Sequence, residues 1–186
     1  MTTGRFERGL EGGMLDVWRE IFRRQKAFAD NALYQLDDHG FFRSPSRDVN
    51  SVAVIVQHVA GNLLSRWTDF LTTDGEKPDR DRDAEFAQPE ASPEARAALM
   101  ARWEAGWAAL FAALDALQPE DLGRTVTIRT KPHTVHASIA RSMDHLAGHV
   151  GQIQILARWH AGNEGWKWFT IEPGGTAAFN RAMRGT

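Results

Sequence analysis

Two histidines one helical turn apart are the first residues in this sequence whose types and spacing could do chemistry. His145 and His149 lie in the stretch SMDHLAGHVGQI, residues 142–153, inside an otherwise apolar helical pattern. Residues four apart share one face of a helix, so both imidazoles can point at a single ion. The alternative is a pair of packed core histidines, each of which needs its own hydrogen-bond partner.

A third ligand has to come from a different helix, because metal sites in bundles are built from facing helices. His58, in VIVQHVAGN, is the only histidine well inside another predicted helix. Neutral imidazole suits zinc and nickel, and a catalytic zinc site typically has three protein ligands and an open position. The sequence therefore predicts one divalent metal ion held by His58, His145 and His149.

The remaining histidines fit this site poorly. His136 precedes His149 by thirteen residues, which is about 20 Å along a straight helix, and His133 is farther still. His39 falls in a predicted loop, and His160 falls at a helix end, where a cationic ring could meet the helix dipole.

Two polar residues share the faces of the predicted ligands. Asn62 follows the first histidine by one turn, and Gln152 follows His145 by two turns. Either side chain could orient a ligand or a metal-bound water from the second shell, and ordinary polar packing is the alternative. Asp144, next to His145 in the chain, is predicted to face away.

The charged loop GEKPDRDRDAEF, residues 75–86, alternates in sign. This pattern is typical of a solvated surface with weak ion pairs, which is the favoured interpretation. The alternative is that Arg80 or Arg82 recognises the carboxylates of a small thiol. Arg66, just before this loop, is predicted either to pair with a loop aspartate or to contact substrate.

Four amphipathic segments have to position these residues. Their apolar spacing predicts helices over about 7–36, 51–71, 93–117 and 134–160. Asn50 or Ser51 can cap the second helix, Ser92 followed by Pro93 opens the third, and Gly162 stops the fourth. The fold class is therefore all-α: a four-helix bundle over 1–186 as a single domain, with long connecting loops and crossover connections.

The remaining structural predictions concern one short strand pattern, the tail and the tryptophans. TVTIRT alternates and is expected to fold back on PHTV as a β-hairpin near 125–135, to meet the tail, or to pair with another chain. The tail is expected to be irregular, with Trp166, Trp168 and Phe169 either closing the open end of the bundle or forming a dimer contact. Four tryptophans at helical spacing are predicted to be core rather than a cofactor site: Trp67, Trp103, Trp107 and Trp159.

Composition excludes several classes of protein. A formal net charge of −2 gives no support for a nucleic-acid-binding face, and no apolar run is long enough for a transmembrane helix. The start of the chain lacks the apolar core of a signal peptide, so a cytoplasmic protein is expected. The chain has no cysteine, so a thiol nucleophile would have to arrive as a cosubstrate.

The motifs VIVQHVAGN and HLAGHVGQI resemble those of the DinB-like superfamily of metal-binding four-helix bundles. The longer stretch SVAVIVQHVAGNLLSRWTDFLTTDGEKPDRDRDAEF is similar to one largely uncharacterised bacterial branch, as are TVTIRTKPHTV and the tail. The resemblance implies a bundle, often dimeric, with a three-histidine divalent metal site. Some relatives look like S-transferases that use bacillithiol, mycothiol or glutathione, and one is an isomerase that uses such a thiol.

Two function classes follow from these observations. The first is a metal-dependent enzyme, a thiol S-transferase or a hydrolase, that acts on a small-molecule substrate. Three neutral ligands leave the ion its full charge, which should lower the pKa of a bound thiol or water. The second is a non-catalytic dimeric bundle that binds a metal or small ligand. A homodimer is expected in both cases, because the tail and the strand leave surface that needs cover.

Overall fold

Four long helices make up most of the structure, a computed structural model that describes residues 12–162 and 164–185. In chain order the elements are α1 (Met14–Tyr34), α2 (Asp38–Phe42), α3 (Val52–Trp67), α4 (Pro93–Ala116), β1 (Thr125–Ile128), β2 (Lys131–Thr134), α5 (Val135–Ala161) and α6 (Thr176–Arg184). The predicted all-α class with one short hairpin is confirmed. None of the helices in the described ranges has the length and apolar character needed to cross a membrane.

The helix boundaries follow local capping chemistry. The hydroxyl oxygens of Ser51, Ser92 and Thr134 each accept a hydrogen bond from the backbone N–H three residues later, at 3.2, 3.0 and 3.3 Å. Such bonds satisfy amide groups that have no partner within the helix. Gly162, at φ 74°, ends α5 as predicted. The second long helix ends at Trp67, four residues earlier than predicted, and the predicted residues 7–11 of the first lie outside the described ranges.

The four long helices are not arranged in chain order around the core. α1 packs mainly on α5 and also on α4, whereas α3 packs mainly on α4 and also on α5. The first two long helices are therefore diagonal to each other, as are the last two. The loops after α1 and after α4 both cross the bundle, as the long connections predicted, and they bring α3 and α5 side by side.

The core between these helices is apolar and rich in aromatic rings. Trp103 and Trp107 are fully buried, and Trp67 is almost so. Trp103 also donates its indole N–H to Asp30 on α1, at 2.9 Å. Trp159 is the exception: its side chain is 55% exposed, so the prediction that it belongs to the core is wrong. It lies on the outer face of the last turns of α5. Helical spacing alone does not show whether another helix packs against that face.

The hairpin is fastened to the loop that follows α3. β1 and β2 pair antiparallel, with Val126 opposite His133. The two turn residues, Arg129 and Thr130, both have positive φ, a conformation that costs energy in residues with a Cβ. The Asp74 carboxylate accepts hydrogen bonds from both of their backbone N–H groups, at 2.8 and 2.7 Å. The strand therefore finds its partner within the chain, and its turn is held against the bundle.

Two short helices were not predicted from the sequence. α2 begins where the Asp37 carboxylate accepts a hydrogen bond from the Gly40 amide, at 2.7 Å. α6 replaces the irregular structure expected for the end of the tail, so that prediction is wrong. Its residues include alanine, arginine and methionine, which are strong helix formers, and Gly185 ends it in the left-handed conformation.

Candidate metal centre

Three histidine rings from two adjacent helices converge on one point. The Nε2 atom of His145 on α5 lies 3.2 Å from Nε2 of His58 on α3, and 3.2 Å from Nε2 of His149. One ligand nitrogen from each ring lies within 4.8 Å of the other two. Zinc–nitrogen bonds of about 2.0–2.1 Å allow at most about 4 Å between two ligands of one ion, and both 3.2 Å separations meet that limit. The three side chains could therefore hold a metal ion.

The outer ring nitrogens of two of these histidines face oxygen acceptors. Nδ1 of His58 is 2.9 Å from Oε2 of Glu85, and Nδ1 of His149 is 2.9 Å from Oε1 of Gln152. A carboxylate and an amide oxygen only accept hydrogen bonds, so each Nδ1 carries a proton and donates it. In a neutral ring this leaves the lone pair on Nε2, directed at the point of convergence.

His145 differs from the other two. Its buried Nδ1 has no hydrogen-bond partner among the residues that the structure describes. Burial, with the neighbouring His149 and His58 adding to it, lowers the pKa of His145 to about 4. Burial also lowers the pKa of His149, although its bond to Gln152 opposes that change. Both rings are therefore neutral at neutral pH, which is the form that binds metals.

Glu85, on a 3-10 turn at Ala84–Phe86, supports His58 from outside. Arg80 donates to both oxygens of this carboxylate, from Nε at 2.7 Å and from Nη2 at 2.7 Å. A third bond runs from Nη1 of Arg80 to Glu76, at 3.0 Å. Burial disfavours the charged form of Glu85, but the hydrogen bonds from His58 and Arg80 lower its pKa overall. The carboxylate is therefore ionised and fixes the tautomer of His58.

Helix α3 is shaped to receive this turn. The side-chain amide of Gln57 donates to the carbonyl oxygens of Ala84, Glu85 and Ala87, at 3.1, 3.0 and 3.2 Å. Gly61 lies directly beneath Glu85, and a Cβ at this position would collide with the Glu85 carboxylate. A glycine one turn after Gln57 is therefore what allows the loop to reach the site.

This arrangement corrects the favoured interpretation of the charged loop. The side chains of Arg80 and Glu85 are only 5% and 6% exposed, so the prediction of a solvated surface is wrong for them. The prediction of a solvated surface holds better for Arg82, whose side chain is 48% exposed. The Arg82 guanidinium lies 5.0 Å from the centre of the Phe86 ring. Glu85 is not predictable as a site residue from the sequence, because alternating charges in a loop carry no sign of burial.

A cleft of about 370 Å³ opens beside His58 and His145. Asn62 and Arg66 line it, and so does Asp144, which was expected to face away. Within the described residues Arg66 has no ion pair with a loop aspartate, so that part of its prediction is wrong. Gln152 lies outside the cleft wall and contacts His149 instead.

The other candidate residues lie elsewhere. The ring of His136 contacts the Leu122 carbonyl, and that of His160 contacts the Arg43 carbonyl, at 3.1 and 3.0 Å. Trp166 and Trp168 line a separate hollow next to α6, and Phe169 packs on Phe28 of α1. The tail aromatics therefore form no part of the histidine cleft wall.

Comparison with known proteins gives a family and a fold without a reaction. The family described as "Protein of unknown function (DUF1572)" matches residues 11–175. No curated protein matches the chain. The fold is similar to the crystal structure of a conserved protein from Enterococcus faecalis, with a TM-score of 0.61, 18% identity, and coverage of 82% of this chain and 100% of that one. At this identity the likeness concerns the fold alone.

Proposed function

We propose that this chain, which belongs to the DUF1572 family, is a metal-dependent enzyme. In this proposal His58, His145 and His149 bind one divalent ion, zinc or nickel, and the substrate is a small molecule bound in the adjacent cleft. The reaction is either S-transfer, in which a thiol cosubstrate reacts with an electrophilic substrate, or hydrolysis. The resemblance of the two motifs that carry these histidines to those of the DinB-like superfamily supports the same assignment.

The observation that carries the proposal is the direction of the lone pairs. Glu85 and Gln152 fix a proton on the outer nitrogens of His58 and His149, so both inner nitrogens present lone pairs to His145. One ring proton on His145 can satisfy at most one of these two nitrogens. Three ring nitrogens that converge without enough protons between them form a donor set that a cation would complete.

The chain's own residues prepare this donor set. Arg80 holds Glu85, Glu85 orients the His58 ring, and Gln152 orients the ring of His149. A bound divalent ion would supply the charge that lowers the pKa of a thiol or a water molecule. The chain has no cysteine, so the thiol of an S-transfer reaction has to come from a low-molecular-weight cosubstrate.

The cleft favours an enzyme over a non-catalytic binding bundle. His58 and His145 both line it, so the point where the three rings converge adjoins space that a small molecule can enter. Its volume of about 370 Å³ lies within the range of small-molecule sites, which is about 300–1,000 Å³. A site that only stored a metal would need no such opening.

The test is the variant His149→Ala, compared with the wild type, both purified without an affinity tag. Two imidazoles on different helices should hold the ion poorly, so we expect metal content by elemental analysis to fall from about one ion per chain to near zero. The helical circular dichroism should stay unchanged, because four apolar helices form the core without the ion. His136→Ala, in which the removed ring lies outside the cluster, is the matched control and should keep its metal.

Activity is then assayed with the metal-loaded protein, using a low-molecular-weight thiol with an electrophile for S-transfer and activated esters for hydrolysis. We expect one of these activities in the wild type and in His136→Ala, and none in His149→Ala. A wild type that binds no divalent metal would refute the proposal. An activity that survives in metal-free His149→Ala would place the chemistry elsewhere.

A further inference from the structure

The walls of the cleft run from the three histidines towards a group of arginines. On α3, His58, Asn62 and Arg66 follow one another at intervals of four residues and all line the cleft. On α5, Arg141 lies four residues before His145 and also lines it. Each interval is about 6 Å along the helix, so Arg66 lies about 12 Å along α3 from His58. The cleft therefore has a histidine end and an arginine end.

Most arginines in this cleft already have protein partners. Arg80 is bound by Glu85 and Glu76. Arg129 donates to Glu76 at 3.3 Å, and Arg82 lies over the Phe86 ring. These three guanidiniums already contact groups of the protein and are therefore less available to bind a ligand.

Arg66 is different, because it is buried and makes no hydrogen bond or ion pair with the residues that the structure describes. It is only 7% exposed, and its Nε is a buried nitrogen with no hydrogen bond among the described residues. The loop holds it in place: a Cβ on Gly75 would lie 2.9 Å from Arg66 Cδ, so only glycine fits against the arginine stem. Burial, with the charge of Arg141 adding to it and that of Glu76 opposing it, lowers the pKa of Arg66 to about 10, and the guanidinium stays charged at neutral pH.

We propose that Arg66 and Arg141 form an oxyanion-binding subsite that receives a carboxylate or phosphate group of the substrate or cosubstrate. Within the described residues Arg141 has no ion pair either, and it is exposed at the rim of the cleft. A buried, unpaired guanidinium is costly, and a bound anion would supply the missing partner. This inference rests on the proposed function, because it takes the reacting group to lie at the histidine end.

The geometry restricts the class of ligand. Guanidinium groups bind carboxylate and phosphate through paired, charge-assisted hydrogen bonds. The backbone positions of His58 and Arg66 lie about 12 Å apart along α3, so we infer a small molecule with its anionic group at one end and its thiol or electrophile at the other. Arginine recognition of an acidic thiol, which the sequence offered for Arg80 or Arg82 only as the alternative to a solvated surface, is thereby assigned to the helix arginines instead.

The subsite is tested by anion binding to the full chain. Metal is first removed with a chelator, and the chelator is then removed by dialysis. Sodium succinate and sodium phosphate are the probes, and sodium chloride at equal ionic strength is the reference. Melting temperature and calorimetric affinity are measured for the wild type, Arg66→Gln and Arg141→Gln. Arg23→Gln is the control, because Arg23 is a half-exposed arginine on α1, across the bundle from α3.

We expect succinate or phosphate to raise the melting temperature of the wild type and of Arg23→Gln more than chloride does. Affinity should fall at least about tenfold in Arg66→Gln and Arg141→Gln, as expected when charge-assisted hydrogen bonds are lost. Whichever probe binds more tightly identifies the anionic group. Arg141 is exposed, so Arg141→Gln keeps the test decisive even if Arg66→Gln folds poorly.

The proposal is overturned if chloride stabilises the wild type as much as the probes do, or if Arg141→Gln binds them as tightly as Arg23→Gln does. Metal content of the same variants is measured separately and should equal that of the wild type. A wild type that binds the probes but no metal would refute the proposed function and leave the subsite standing. The reverse result would refute the subsite alone.

Discussion

One wall of the cleft comes from the charged loop and one from α3, and each buries one arginine. The loop wall consists of Glu76, Arg80 and Arg82, and the α3 wall consists of His58, Asn62 and Arg66. The Arg80 side chain is 5% exposed and binds two carboxylates. Arg66 is 7% exposed and binds none within the described residues. Burial disfavours charge in both, but the bonds to Glu85 raise the pKa of Arg80, whereas burial and the nearby Arg141 lower that of Arg66 to about 10.

We infer from this difference that the charge of Arg80 serves the fold and that the charge of Arg66 serves ligand binding. Removing one partner of a buried ion pair is strongly destabilising, because the other charge is left uncompensated. An unpaired buried charge is already uncompensated, so its removal should help the fold. Proteins retain such costly groups mainly where function requires them. The same substitution at the two positions should therefore change stability in opposite directions.

The largest effect is expected for Arg80→Met. This change leaves Glu85 buried beside His58 without its guanidinium, and we expect the free energy of unfolding to fall by about 3–5 kcal/mol. Urea denaturation followed by circular dichroism measures it. Arg82→Met is the matched control from the same loop, because Arg82 is half exposed, and it should change stability by no more than about 0.5 kcal/mol. Equal effects at both positions would mean that the Arg80–Glu85 pair is no more important than a surface contact.

A smaller effect of opposite sign is expected for Arg66→Met. Methionine keeps an unbranched apolar stem and removes the unpaired charge, so we expect the free energy of unfolding to rise by about 1–2 kcal/mol. The measurement is the same urea titration, carried out without carboxylate or phosphate buffers, because a bound anion would stabilise only the wild type. A loss of more than about 1 kcal/mol would show that Arg66 serves the fold, and the contrast with Arg80 would disappear.

The sequence predicts the helix α3 wall much better than the loop wall. His58, Asn62 and Arg66 recur at helical intervals, and the same periodicity places His145 and His149 on one face of α5. The four helices, their caps and the hairpin follow from equally local signals. These are the features in which each residue's neighbours along the chain decide its conformation.

The loop wall depends on contacts that local patterns do not encode. Nothing in GEKPDRDRDAEF indicates that Arg80 and Glu85 are buried while Asp83 is fully exposed. The decisive features lie on α3, where Gln57 binds the loop carbonyls and Gly61 leaves room for a carboxylate. A polar residue beside a predicted ligand, and a glycine one turn later, were the available signals. Gln57 and Gly61 become informative only once the loop is known to cross their face of α3.

The smallest effect is expected at Asp74, which directly precedes the charged loop. Its carboxylate accepts hydrogen bonds from the backbone N–H groups of Glu76, Arg129 and Thr130, at 2.7, 2.8 and 2.7 Å. Desolvation opposes ionisation, but these three bonds, together with one from the Thr127 side chain, lower the pKa of Asp74 from 3.8 to about 2. Because the folded-state pKa is depressed, this contribution to stability is present above about pH 4 and is lost as the pH falls towards 2.

We therefore expect Asp74→Ala to lower the free energy of unfolding by no more than about 1 kcal/mol at pH 7, since solvent screens this carboxylate. The gap between wild type and variant should narrow as the pH is lowered from 4 to 2, in denaturation curves recorded at each pH. Asp83→Ala, whose side chain is fully exposed, is the control and should show a smaller gap at every pH. A gap that stays constant down to pH 2 would contradict the role of the ionised carboxylate. In that case the positive-φ turn would hold Arg129 beside the cleft without help from the ionised Asp74 carboxylate.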